Sequence, residues 1–248
     1  MTWRTGPMRN ASYLLSALVL AVALPAVPAS GQGYEEIEVA DGGTIRGRVY
    51  FESELPERRM IQPSRDNDTC GIRVPDQSFE VDRASKGLAN VVLRVEGITR
   101  GKPFADAKPE LAQIECRYQP RVMVVRPGSQ VEIVNQDPIL HNVHAYRGDD
   151  TVFNMAQPFQ GQRSAQSMPE DGVVRVVCDV HDWMRAYILV LDNPYVAISG
   201  KDGSFEIDGV PPGTYKVTMW HELLGTHTKE VTVPPGGTGE VDFIIAPG

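Results

Sequence analysis

The run from Val176 to Met184, Val-Val-Cys-Asp-Val-His-Asp-Trp-Met, sets a thiol, an imidazole and a thioether at Cys178, His181 and Met184. Two residues separate each pair. Sulfur donors are soft and imidazole is borderline, so a loop that delivers them at even spacing suits one soft or borderline metal ion. A four-coordinate ion needs one more donor from elsewhere in the fold. Upstream, Val-Glu-Ile-Val-Asn-Gln-Asp-Pro-Ile-Leu-His-Asn-Val-His-Ala-Tyr brings a strand into a proline-containing turn and on to His141 and His144. His141 stands next to the turn, while His144 lies three residues into the following strand. His141 is therefore the expected ligand and His144 its neighbour.

Two imidazoles, a thiolate and a thioether make the trigonal His2Cys set with a weak axial Met that marks mononuclear blue copper sites. Zinc accepts Cys and His but gains little from a thioether, and usually takes a fourth Cys, His or carboxylate. Haem is excluded: the loop lacks the Cys-x-x-Cys-His attachment sequence, and His181 and Met184 are too close in sequence to reach opposite faces of one porphyrin. Singly, a Cys is often a small buried hydrophobe and a Met a gap filler. It is the combination, after a β-run and with His141 upstream, that carries the metal reading. The chain has three cysteines. Cys70 and Cys116 have no His, Met or second Cys near them in sequence and are expected to pair with each other, which leaves Cys178 free for a metal.

The elements that must position these donors are strands. Past residue 33 no stretch keeps apolar residues at helical spacing for three turns, and short β-rich runs recur between Gly, Pro, Asn and Asp. Thr-Ile-Arg-Gly-Arg-Val-Tyr-Phe, the runs around Val92, Val122, Val131 and Val174, and Arg-Ala-Tyr-Ile-Leu-Val-Leu-Asp are the expected strands. The class is all-β, a sandwich or barrel. The polar segment Asp149 to Met168 reads as a long connection. After Asp192, alternating strands separated by Asp-Gly and Pro-Pro-Gly turns predict a small second sandwich over 194–248. Residues 1–30 read as a signal peptide: Arg4 and Arg9 precede an apolar run and a small-residue cleavage region. Pro25 and Pro28 break that run before the ~20 residues a bilayer span needs. Export makes a disulfide permissible.

Both ligand segments resemble those of the cupredoxins. Pro-Ile-Leu-His-Asn-Val-His-Ala-Tyr and Val-Val-Cys-Asp-Val-His-Asp-Trp-Met-Arg-Ala-Tyr-Ile-Leu-Val are most similar to amicyanin-type and plastocyanin-like domains, over roughly 87–192. The resemblance implies a Greek-key sandwich with one type 1 copper near one end, held by His141, Cys178, His181 and Met184. It also implies that Asn142 steadies the thiolate loop through its backbone, and that His181 lies toward the surface, where electrons pass. The tail resembles carboxypeptidase regulatory-like, transthyretin-like domains. Residues 34–86, which contain Cys70, have no counterpart in small cupredoxins and read as an N-terminal β extension.

A copper ion that cycles between two charge states in a fixed site serves as a carrier of single electrons, with Val177, Val180 and Trp183 keeping water away. No catalysis is expected. A multicopper oxidase places His on both sides of its Cys, where this chain has Val177 and Asp179, and position 174, where a dinuclear copper centre needs a second Cys, is Val. The alternatives are copper binding or transport without electron transfer, and an adhesion or scaffold module. The net charge is −8, or −10 once Arg4 and Arg9 leave with the signal. That balance disfavours nucleic acid and suits a redox partner protein with a basic patch. The expected location is periplasmic or secreted, with no membrane span after cleavage. His221 and His227 read as surface residues of the tail.

Overall fold

The computed structural model describes residues 1–2 and 33–246. The signal segment expected over 1–30 lies outside them but for its first two residues. Two-residue strands apart, the early chain supplies β1 (Gly43–Phe51) and β2 (Val92–Val95). The middle of the chain supplies β3 (Glu110–Ile114), β4 (Arg117–Gln119), β5 (Val122–Val125), β6 (Gln130–Asn135), β7 (His141–Arg147), β8 (Asp150–Gln157), β9 (Arg163–Ser167), β10 (Gly172–Val177) and β11 (Arg185–Val190). The tail supplies β12 (Val196–Ile198), β13 (Ser204–Val210), β14 (Gly213–His221), β15 (Gly225–Val233), β16 (Thr238–Glu240) and β17 (Phe243–Ile245). Among the described residues the one α-helix is the short turn α1 (Asn67–Cys70).

Strands β3 to β11 form one sandwich, called the metal module after the candidate donors it carries. One sheet runs β9-β6-β3-β4 and the other β8-β7-β10-β11-β5. Side chains alternate across a strand, so every second residue of β10 and β7 faces inward. Val174 and Val176 of β10 and Val143 and Ala145 of β7 meet Leu111, Val131 and Ile133 of the opposite sheet in one core. The polar segment Asp149 to Met168, expected as a connection, instead contains β8 and β9. Each is the edge strand of its sheet, paired on one side only, so its polar side chains can stay in water while its backbone completes the ladder.

The second sandwich has sheets ordered β12-β2-β14-β15 and β13-β1-β16, with β17 also pairing along β1. Its core joins Ile45, Val49, Leu93 and Val95 to Val217, Met219, Ile207 and Phe243. The expected first-domain boundary at 87 needs correction, and 194–248 is not a whole sandwich by itself: β1 and β2, from early in the chain, supply a strand to each of its sheets. Period-two patterns announce strands but not their partners. The Asp-Gly turn before β13 is real, with Gly203 at φ 81, and a Cβ there would stand 2.1 Å from the Val49 carbonyl oxygen. The segment between β1 and β2 leaves this sandwich and is tied to the metal module through Cys70, which is disulfide-bonded to Cys116 as expected.

A buried ion pair joins the two sandwiches. Arg121, just before β5, donates from Nε and Nη2 to Glu222 Oε1 at 2.8 and 2.5 Å, and from Nη1 to the Arg185 carbonyl at 3.1 Å. Beside it, His221 is buried rather than on the surface as expected. Burial, helped by the Arg121 guanidinium, pushes its imidazole down to about 4 from 6.5. Between those pH values the unfolded chain takes up a proton that the folded chain refuses, so this histidine costs stability as pH falls, about 3 kcal/mol by pH 4. Replacing it in His221→Gln is expected to flatten the acid side of the stability profile by that amount, read by urea denaturation at pH 7 and pH 4. Equal losses in both proteins would show that the ring does not govern the profile.

Candidate metal centre

His141 opens β7, whose inward positions are His141, Val143 and Ala145 and whose outward ones are Asn142, His144 and Tyr146. The three-residue step that separates the two histidines thus puts them on opposite faces. His144 stacks on Tyr146 at 4.0 Å between ring centres and lies 3.0 Å from the Asp179 carboxylate. Cys178 follows β10 directly and Met184 precedes β11. Val177 pairs with Arg185, so the donor loop is the hairpin connection between two paired strands. The Met184 N–H donates to the His181 carbonyl at 2.9 Å and closes its last turn.

Three of the four expected ligands converge at bonding scale. His141 Nδ1 and His181 Nδ1 are 3.0 Å apart, Cys178 Sγ is 3.7 Å from His181 Nδ1, and all three residues are buried. Met184, 1% exposed, packs in the same core cluster. Sγ also accepts the Asn142 N–H at 3.3 Å, while the Asn142 side chain accepts the Asp179 N–H at 3.2 Å. Tyr118, buried in the opposite sheet, holds its hydroxyl 2.9 Å from the Asn142 carbonyl and 3.0 Å from that of Val177. One phenol thereby ties the strand of His141 to the strand of Cys178.

Carboxylates fix the tautomers. His141 Nε2 lies 2.8 Å from Asp137 Oδ2, and His181 Nε2 lies 2.9 Å from Asp66 Oδ2. An ionised carboxylate only accepts, so each Nε2 carries a proton and each Nδ1, bare while its ring is neutral, faces the other. Two such nitrogens 3.0 Å apart beside a sulfur call for a cation among them, a proton on one Nδ1 or a metal ion bound by all three donors. The thiol points the same way. Burial alone would push Cys178 up, but hydrogen bonds with His141, His181 and the Asn142 N–H outweigh it and bring it down to about 6. Burial likewise opposes charge on His141 and Asp137, yet their mutual hydrogen bond wins, raising the imidazole and lowering the carboxyl.

The donor spacing fits one ion. Donors bonded at about 2.0 Å (nitrogen) and about 2.3 Å (sulfur) with tetrahedral angles stand roughly 3.3 Å (N···N) and 3.5 Å (N···S) apart, against 3.0 and 3.7 Å here.

One expectation is overturned. His181 does not lie at the surface; its side chain is 0% exposed. Asp66 caps its Nε2, Trp183 packs on its ring at 5.1 Å, and the Cys70–Cys116 sulfurs approach its nitrogen within 4.8 Å. Asp66, Asp137 and Tyr118 were not singled out from the sequence. Asp137 lies four residues before His141 in the turn that delivers it, which is a local signal, whereas Asp66 is 115 residues from His181 and carries none.

Residues 185–246 match the carboxypeptidase regulatory-like domain. The match begins in β11, a strand of the metal module, and leaves out β1 and β2, which complete the sandwich. Solved structures similar to this chain include a novel purple cupredoxin from Nitrosopumilus maritimus, 20% identical, with a TM-score of 0.31 over 34% of this chain and 100% of that one. Amicyanin from Paracoccus versutus is 22% identical, with a TM-score of 0.31 over 40% of this chain and 97% of that one. A Cu-containing nitrite reductase from Thermus scotoductus SA-01 is 19% identical, with a TM-score of 0.32 over 37% of this chain, which spans 24% of the reductase. No curated protein sequence matches this one.

Proposed function

We propose that this protein is an exported carrier of single electrons that uses one type 1 copper ion. The observation that carries the reading is the pair of carboxylate-fixed imidazoles presenting Nδ1 to one another beside a buried, acidified thiol. His141, Cys178 and His181 would hold the ion and Met184 would be its weak fourth donor. Copper supplies the chemistry by alternating between Cu(I) and Cu(II). The chain's residues hold the donors at fixed spacing, so little has to move when the charge changes. Val180 and Trp183 pack against the core at the donor loop and keep water away. The buried disulfide supports an oxidising compartment, and among the described residues no helix is long and apolar enough to cross a membrane. The acidic balance suits a partner with a basic patch. Val177 and Asp179, flanking Cys178 where an oxidase needs histidines, support a role without substrate turnover.

One equivalent of Cu(II) added to apo-protein is expected to give an intense blue band that a one-electron reductant bleaches and an oxidant restores. A colourless protein that retains only Cu(I) would replace this reading with copper transport.

A further inference from the structure

The segment that caps His181 belongs to no part of the sandwich that holds the donors. Asp66 precedes α1 with φ 52 and ψ 35, a left-handed conformation uncommon outside glycine. An aspartate ahead of a helix usually caps it with its side chain, but this one makes no such bond. Its carboxylate instead reaches His181 Nε2. Three hydrogen bonds and a disulfide tie this segment to the donor sandwich. The Cys70 N–H donates to the Asp66 carbonyl at 2.8 Å, and Cys70 is bonded to Cys116. On the other half of the disulfide, the Cys116 N–H donates to Asp137 Oδ2 at 2.9 Å and the Cys116 carbonyl accepts Trp183 Nε1–H at 3.1 Å. Each half-cystine is thus hydrogen-bonded to the aspartate that orients one of the two facing imidazoles.

Resting on the copper reading above, we infer that Asp66 is a positioning residue of the metal centre, delivered by a disulfide-anchored strap, and that the strap closes His181 to small molecules. A carboxylate on the far nitrogen makes the ring a stronger donor and favours the more highly charged ion, and losing such a partner typically costs 10–100-fold in metal affinity. Asp66 is partly exposed, so a neutral substitute of the same shape is tolerated there, and Asn accepts positive φ.

The test uses the full chain loaded with copper. The Asp66→Asn protein is expected to lose about tenfold in Cu(II) affinity relative to Cu(I), an upward shift of about 59 mV in reduction potential, with one copper per chain retained. Asp66→Glu, which keeps the charge, is expected to return most of the shift. Azide added to the Cu(II) protein is expected to leave the wild-type spectrum unchanged and to perturb that of Asp66→Gly. The double variant Cys70→Ser with Cys116→Ser is expected to follow Asp66→Asn in potential, since it frees the strap while leaving the carboxylate in the chain. An unchanged potential in Asp66→Asn, or azide reaching the wild-type metal as readily as the variant's, overturns the inference with the copper reading intact. A wild-type protein that takes up no copper overturns that reading instead.

Discussion

The Cys178→Ser protein is expected to fold, to show no blue band at any copper ratio, and to have lost most of its copper affinity. The intense colour of such a centre is charge transfer from thiolate sulfur to Cu(II), and a serine hydroxyl is neither soft nor ionised near neutral pH. The fold should survive because the side chain changes by one atom, and Cys178 shares its core with Val143, Val176 and Ala186, which keep their own contacts. Two bonds that shape the loop, from the Met184 N–H to the His181 carbonyl and from the Asp179 N–H to the Asn142 side-chain oxygen, do not involve the sulfur. Visible absorption, electron spin resonance and circular dichroism on one sample separate the outcomes. A persistent blue band would mean that Cys178 is not the thiolate ligand.

The second large effect lies away from the metal. Removing the Glu222 carboxylate in Glu222→Ala leaves the Arg121 guanidinium buried, with the Arg185 carbonyl as its remaining acceptor. An uncompensated buried charge costs about 3–5 kcal/mol, whereas replacing both partners with apolar residues is often neutral or better. Glu222→Ala is therefore expected to lose about 3–5 kcal/mol in urea denaturation, and Glu222→Leu combined with Arg121→Met to recover most of it. A loss below about 1 kcal/mol in the single variant would show that water reaches the pair and screens it. Arg185 directly follows Met184, so the same variants report whether the junction steadies the donor loop.

What could be read from the sequence was what is local in the chain. The Cys178–Met184 loop lies between two paired strands, and the alternation of β7 sends His141 inward and His144 outward. Both follow from residues within a few positions of each other. The Cys70–Cys116 pairing was legible by counting. Features that depend on distant partners were not. Asp66 meets His181 only because part of the segment between β1 and β2 crosses to the metal module, and no pattern around Asp66 announces this. The burial of His181 follows from the same strap. Strand β1 was legible as a strand but not as a member of the C-terminal sandwich, because apolar alternation says which face is buried and not against what. The edge strands β8 and β9 were missed because a strand with one neighbour needs few apolar residues.

Val95 N–H donates to the Tyr195 carbonyl at 2.9 Å, so the chain departs from the second sandwich and rejoins it at one spot. During synthesis from the amino end, β1 and β2 emerge early and then wait for β12 to β17. Every donor and both supporting aspartates, from Asp66 to Met184, have been delivered before that outer core can seal. Cutting the polypeptide near residue 192 would yield a metal module trailing two orphaned strands, whereas excising the module between Pro103 and Pro194 would leave the host sandwich with all its staves and with Ile98 in its core.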